Sequence, residues 1–308
     1  MAPKVVIITG CSSGIGLETA VLLASDKENR FKVFATMRNL AKKDQLQSTA
    51  GSTLDKTLFI RQLDVTDEES INKFMDKINQ EEKRVDILIN NAGIGQCGVL
   101  EMVTMTQIRK VFETNVFGFI RMTQAVIPGM KTKRSGQIIN VGSTLGLAGI
   151  PWSDIYSSSK FAIEGFSESI APVLKKFNIS ISVIEPGPVI TQAFANIDAN
   201  GTGHMGSDAQ MDPDVDELTH KLFKNSMDNN AIRIGKMIQT AEEIANVIQD
   251  VILTEKPHFR YITSESYKQV LSTKKYLDIT GDLIVEQIIE EQQWDEKSSV
   301  NNNDKISA

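Results

Sequence analysis

The chain has 308 residues, 41% of them hydrophobic and 23% charged, with a net charge of −6. That length and balance fit one large α/β domain or two modest ones, and the acidic excess removes the electrostatic footprint of a nucleic-acid binder. Two cysteines, Cys11 and Cys97, and three scattered histidines build neither a disulfide framework nor a structural zinc site, which suits a reducing compartment.

The opening apolar run, residues 5–8, is too short for the core of a signal peptide and reads as a first strand. No apolar stretch approaches the roughly 20 residues of a spanning helix. A cytoplasmic location is therefore expected, with peripheral membrane association left open. On that expectation the sequons Asn178-Ile179-Ser180 and Asn200-Gly201-Thr202 meet no glycosylation machinery.

Short β-branched runs then alternate with amphipathic stretches. Strands are expected at residues 5–9, 32–35, 57–63, 85–90, 137–141 and 180–184, with a last one at 259–263 after Pro257. Several are apolar on both faces, as in a doubly wound parallel sheet covered by helices on each side. Thr66-Asp67-Glu68-Glu69 reads as a capping box opening a helix toward Glu82, and Thr240-Ala241-Glu242-Glu243 opens another through Leu253. A continuous helix is expected over 107–131. Residues 186–239 interrupt the alternation with Gly-, Asp- and Asn-rich pieces; an excursion after a strand's C-terminal end falls where open α/β sheets bind ligands, so a substrate lid is expected there, against a tolerated surface insertion. Residues 1–291 form one domain on this reading, and the polar tail 292–308 is expected to be disordered.

After the first strand comes Gly10-Cys11-Ser12-Ser13-Gly14-Ile15-Gly16, with residues 17–24 continuing as a helix. A strand, a glycine turn and a helix N-terminus form a setting that binds pyrophosphate through backbone N–H groups and the helix dipole. The Gly-x-x-x-Gly-x-Gly spacing differs from the general dinucleotide fingerprint, and Ser12 and Ser13 add hydroxyl donors. At the end of the second strand stands Arg38, with no acid nearby to bind a ribose 2′-hydroxyl. A guanidinium there suits a 2′-phosphate, which favours NADP(H) over NAD(H); a solvated loop arginine is the plainer reading.

Tyr156 and Lys160 stand four apart in a helical stretch, so phenol and ammonium share a face, with Ser143 upstream. A cation beside a tyrosine favours the phenolate and brings it toward the range of useful proton transfer.

Thr9-Gly10-Cys11-Ser12-Ser13-Gly14-Ile15-Gly16, Asn90-Asn91-Ala92-Gly93, Asn115, Ser143, Tyr156-x-x-x-Lys160 and Pro186-Gly187 occur in that order. The set resembles the short-chain dehydrogenase/reductase family over roughly residues 3–265. The stretches 8–17, 35–38 and 154–162 are similar to its estradiol 17β-dehydrogenase and photoreceptor-type retinol dehydrogenase branch. The resemblance implies a Rossmann-like fold and four catalytic residues. Tyr156 would donate a proton to a carbonyl oxygen, or accept one in reverse. Lys160 would favour the phenolate and bind the nicotinamide ribose, Ser143 would meet the substrate oxygen, and Asn115 would hold a water linking the lysine to solvent. It further implies that Gly10, Ser12, Ser13, Gly14, Ile15, Gly16 and Arg38 bind the cofactor. Asp64 and Val65 would border its adenine, Asn91, Ala92 and Gly93 would line its groove, and Pro186, Gly187, Val189 and Thr191 would lie near its carboxamide. Asp64 could instead simply begin the cap of the next helix.

These expectations amount to an NADP(H)-dependent oxidoreductase interconverting alcohol and carbonyl on a lipophilic substrate, retinoid or steroid. Leu145, Leu147, Ile150, Trp152, Val189, Phe194 and Met205 are apolar residues available to its pocket or to the core. A catalytically silent dinucleotide-binding regulatory protein of the same fold is the alternative; a sugar epimerase fits the glycine spacing less well. His220 reads as a surface histidine near where a steroid-contacting one would fall. A homodimer is a family-based expectation.

Overall fold

A computed structural model of the chain describes residues 2–190 and 215–268. Seven parallel strands run in the order β3-β2-β1-β4-β5-β6-β7: β1 Lys4–Ile8, β2 Phe31–Met37, β3 Leu58–Gln62, β4 Ile87–Asn90, β5 Gly136–Val141, β6 Ile179–Glu185 and β7 Arg260–Ile262. Because side chains alternate across a strand, Val6 and Ile8 enter one core and Val5 and Ile7 the other. Helix α1 (Gly14–Ala24) covers the first face, and α3 (Glu68–Glu81) and α5 (Gly118–Lys133) cover the second. A sheet buried on both sides explains why strand sequences such as Val-Val-Ile-Ile carry no polar alternation.

Chain order reverses between β1 and β4, which place Ile8 beside Ile89. Strands on either side of such a switch send their following loops apart and leave a crevice at their C-terminal ends. The glycine turn after β1, the Asn-Ala-Gly segment after β4, the loop after β5 and residues 186–190 after β6 follow the C-terminal ends of these strands. Short α2 (Asp44–Ala50) lies between β2 and β3.

Three expectations about elements need correction. The cap of α3 is Asp67, whose carboxylate accepts from the Glu69 N–H, and not Thr66. Thr66 donates its hydroxyl to the Asp64 carboxylate, so that aspartate does start an Asx turn ahead of the helix. The helix expected over 107–131 is three pieces: α4 (Met105–Phe112), a π-helical turn at Glu113–Phe117 that contains Asn115, and α5. A π-turn bulges the helix by one residue and re-aims the side chains inside it. Several expected strand ends also shift by a residue or more; the first strand stops at Ile8, leaving Thr9 for other bonds.

The capping box at Thr240 forms in full, with Thr240 and Glu243 bonding each other's backbone N–H at the start of α8 (Ala241–Leu253). Before it, α7 spans Glu217–Met237. Its Phe223 and Met227 pack with Cys97, Val99 and Val215, and Phe223 meets Trp152 edge-on at 5.3 Å. Thr191, Phe194, Met205 and the rest of residues 191–214 of the expected lid lie outside the described residues, as does the tail 292–308. No helix among the described residues is long and apolar enough to cross a membrane.

Candidate active site

The glycine turn is built by close approach. Gly10 has φ +74°, and a Cβ there would lie 2.7 Å from the Ala92 Cα. A Cβ on Gly16 would lie 2.4 Å from the Asn91 Nδ2 and 2.6 Å from the Gly10 carbonyl oxygen. Side chains at either position would push the turn off the Asn91-Ala92 backbone. Thr9 clasps the two loops: its hydroxyl accepts from the Asn91 and Ala92 N–H groups, while the Asn91 amide donates to the Thr9 and Gly10 carbonyls. Cys11 is fully buried, its N–H bonded to the Thr36 carbonyl, and burial pushes its thiol up to about 12, so it is a structural and not a nucleophilic cysteine.

Ser13 occupies the N-cap of α1 in extended conformation, yet its side chain makes no capping bond, and the first turn of α1 holds no acid. The helix's positive end is therefore not neutralised by its own chain, the electrostatic condition for receiving a phosphate. Ser12, Gly14 and Ile15 are half-buried around it.

Arg38 is exposed at the end of β2, and among the described residues it has no carboxylate partner; its backbone carbonyl accepts from the Gln62 amide. Asp64 bonds Thr66 through its side chain. Val65 points inward as a core side chain, 2.7 Å from where a Cβ on Gly118 would be. Val189 is likewise a core side chain.

After β6, the Pro186 carbonyl accepts from the Thr144 N–H. The following residues are pinned by Gln239: its backbone pairs with Pro188 and Ile190, and its side-chain oxygen accepts from the Gly187 N–H and the Thr263 hydroxyl. Gln239 stands out only in the structure, because a lone glutamine before a capping threonine carries no motif.

Helix α6 (Asp154–Lys175) presents Tyr156 and Lys160 on one face. Lys160 is buried, donates to the Val141 carbonyl at 2.9 Å and lies 5.6 Å from the centre of the Tyr156 ring. Burial lowers its pKa to about 8, with Glu164 one helical turn away acting in the opposite sense. The Ser143 hydroxyl lies beside the Tyr156 phenol, on which it acts electrostatically, and accepts from the Leu145 N–H. The phenol differs from the sequence expectation: burial raises its pKa, and Ser143 only partly offsets that. A tyrosine held protonated is suited to donating.

Asn115 sits wholly buried in the π-turn. Its side chain accepts from the Ile94 N–H and donates to the Ile94 carbonyl and to Ser159, whose hydroxyl in turn donates to the Tyr156 carbonyl. The asparagine thus ties the segment after β4 to the tyrosine's helical turn. Gly93 passes between them, with space for a Cβ only 3.4 Å from the Asn115 Oδ1 and 3.9 Å from the Lys160 Nζ. His220 is half-buried on α7, one turn before Phe223. Leu145, Leu147, Ile150 and Trp152 are half-buried in the loop between Ser143 and Tyr156, where apolar surface borders the hydroxyl pair.

The short chain dehydrogenase family model matches residues 4–201. Human retinol dehydrogenase 8 is 41% identical over 284 residues, covering 92% of this chain and 88% of that protein. Human 17-beta-hydroxysteroid dehydrogenase type 1 is 38% identical over 273 residues, covering 88% and 80%. Among solved structures, ElxO with NADP bound superposes with a TM-score of 0.67 at 26% identity, covering 87% of this chain and 99% of that one. The chain belongs to the short chain dehydrogenase family of oxidoreductases.

Proposed function

We propose that this oxidoreductase interconverts an alcohol and a carbonyl on a lipophilic substrate, retinoid or 17β-hydroxysteroid, with NADP(H), and with Tyr156 as general acid/base. The observation that carries the reading is the buried Lys160 ammonium, one helical turn from Tyr156 and 5.6 Å from its ring, with Ser143 beside the phenol. A regulatory protein of the same fold has no chemical need of that arrangement.

The residues present fit a dinucleotide. Glycines at 10 and 16 keep the turn thin, and the start of α1 offers N–H groups that its own chain does not cap. Ser12, Ser13, Gly14 and Ile15 would hold the pyrophosphate, Asp64 and the Val65 backbone would border the adenine, and Asn91, Ala92 and Gly93 would line the groove. Arg38 would receive a 2′-phosphate. Pro186, Gly187 and the Val189 backbone, held by Gln239, would meet the carboxamide, and Thr191 would extend that contact. When bound, the cofactor supplies or takes up the hydride.

The chain's own groups do the rest. The Ser143 hydroxyl orients the substrate oxygen, and the protonated Tyr156 gives that oxygen its proton; in the oxidising direction the phenolate takes the proton back. Lys160, cationic at neutral pH, stabilises the phenolate left behind and offers a donor to the cofactor's ribose. Asn115 keeps the tyrosine's turn in register with the groove and would hold the water that links Lys160 to solvent. Apolar loop residues from Leu145 to Trp152 exclude bulk water and suit a lipophilic ligand.

The relatives' names support both substrate classes. Following NADPH consumption with all-trans-retinal and with estrone side by side tests the reading. Turnover of either supports it and selects the class; turnover of neither, by a protein that binds NADPH, overturns the substrate assignment.

A further inference from the structure

Beneath the active-site lysine lies a second buried cluster of ionisable groups. Glu164 follows Lys160 by one turn of α6, and Glu185 ends β6 with no exposed surface. Arg260 on β7 reaches both: its Nε donates to the Glu185 Oε1 at 2.7 Å and its Nη2 to the Glu164 Oε2 at 2.8 Å. The same Nη2 donates to the more exposed Glu168 at 3.0 Å.

The arginine thereby satisfies one oxygen of each carboxyl group. The other two, Glu164 Oε1 and Glu185 Oε2, are buried and receive no donor. Both carboxyl groups are held on neighbouring nitrogens of one guanidinium, which sets them side by side. Two ionised carboxylates on one arginine repel each other, and Arg260 offsets only one of their charges; a proton held by the pair removes that repulsion and supplies a donor where the pair now lacks one. Burial and the neighbouring Glu164 push Glu185 up to about 8, in the same sense.

We propose that Glu164 and Glu185 share one proton and act as a single fixed negative charge that keeps Lys160 cationic beneath Tyr156. The inference rests on the Tyr156–Lys160 reading above. It deepens that reading by naming the counter-charge of the lysine.

The surroundings leave few other candidates for that counter-charge. Among the described residues the charged groups facing the pair are Lys160 and Glu168 on α6 and Arg260 on β7. The end of β5 and the turn after it contribute uncharged Gly142 and Gly146, where Cβ atoms would lie 3.3 Å and 3.2 Å from the Glu164 side chain. The close packing holds the carboxyl group in place. Glu164 and Glu185 touch neither substrate nor cofactor and are positioning residues.

A shared proton has a signature that two independent carboxylates lack. A glutamine at either position reproduces the neutral, donating partner, and the remaining carboxylate carries the charge. Glu164→Gln and Glu185→Gln alone should therefore each leave the pH profile of kcat/KM for NADPH within about half a pH unit of wild type. The double variant removes the charge and should lower the alkaline limb by about one pH unit or more, a strongly non-additive result.

Infrared spectra at neutral pH supply a readout that needs no turnover. Wild type should show the C=O stretch of a buried protonated acid, and each single variant should lack it. Absence of that band from wild type would overturn the shared proton. Additive displacements of the pH profile in the two single variants would do the same. An unshifted double variant that still folds would overturn the link to Lys160, whereas an active Tyr156→Phe variant would strike the tyrosine reading and leave the spectroscopic result standing.

Discussion

The ammonium of Lys160 donates to the Val141 carbonyl, which fixes an α6 side chain to the end of β5 two residues before Ser143. That bond sets the lysine and the strand leading to Ser143 in a common frame, with the Tyr156 ring 5.6 Å from the ammonium. Tyr156→Phe removes only the hydroxyl from that frame. Its kcat should fall by about 10²-fold or more, the usual contribution of a positioned proton donor, while NADPH affinity in a fluorescence titration stays within about threefold of wild type. A phenylalanine variant with wild-type kcat would sink the mechanism.

The glycine turn makes a different demand, for thinness. In Gly16→Ala the new methyl would sit 2.6 Å from the Gly10 carbonyl oxygen, a backbone atom with little freedom to yield. We expect a loss of about 1–3 kcal/mol in chemical denaturation, together with at least a tenfold weaker NADPH affinity. Unchanged affinity would mean that the turn does not contact the cofactor.

How much of this was legible in the sequence depends on distance along the chain. Short continuous apolar runs disclose the seven strands among the described residues, because burial of the sheet on both faces leaves its mark residue by residue. Tyr156 and Lys160 were legible for the same reason, since four residues of one helix fix their relation. The π-turn at Asn115 was not, because nothing in Glu-Thr-Asn-Val-Phe distinguishes a bulged helix from a regular one. Nor was the Glu164–Glu185–Arg260 cluster, whose members come from three elements and meet only when β6 and β7 pair. The cap of α3 was misplaced by one residue because Thr66 and Asp67 are both good capping types; the contest went to Asp67 once Asp64 engaged Thr66.

Arg38 lies exposed beyond β2 without a carboxylate partner among the described residues, so its guanidinium is available to an incoming phosphate. Arg38→Asp would replace a planar donor with a repelling carboxylate and supply an acceptor for a 2′-hydroxyl. The ratio of kcat/KM for NADPH over NADH should fall by about tenfold or more. If the ratio stays as in wild type, the 2′-phosphate is read elsewhere.

On the proposed mechanism, Lys160 sets a pH limit. Its folded pKa is about 8, lowered from 10.5 chiefly by burial, so the cation is complete well below 8 and is lost as pH rises through that value. Because kcat/KM for NADPH reports the cofactor-free enzyme, it should decline above about pH 8. Lys160→Met should lose both the decline and most of the activity. A wild-type profile flat to pH 10 would show that the lysine's charge is not used.

Glu185 governs stability with the opposite acid-range sign to an ordinary salt-bridged carboxylate. Its pKa rises from 4.5 to about 8 on folding, so between those values the folded state holds a proton that the unfolded state has released. Stability from this group is complete below about 4.5 and is progressively lost as pH climbs to about 8. Glu185→Gln has no such proton to lose. Urea denaturation of both proteins at pH 5 and pH 8 should show the variant gaining on wild type by roughly 1 kcal/mol or more across that interval, since a tenfold difference in proton affinity between the folded and unfolded states is worth about 1.4 kcal/mol before relaxation. A difference that stays constant with pH would mean that Glu185 is ionised in the folded protein, with Arg260 alone compensating it.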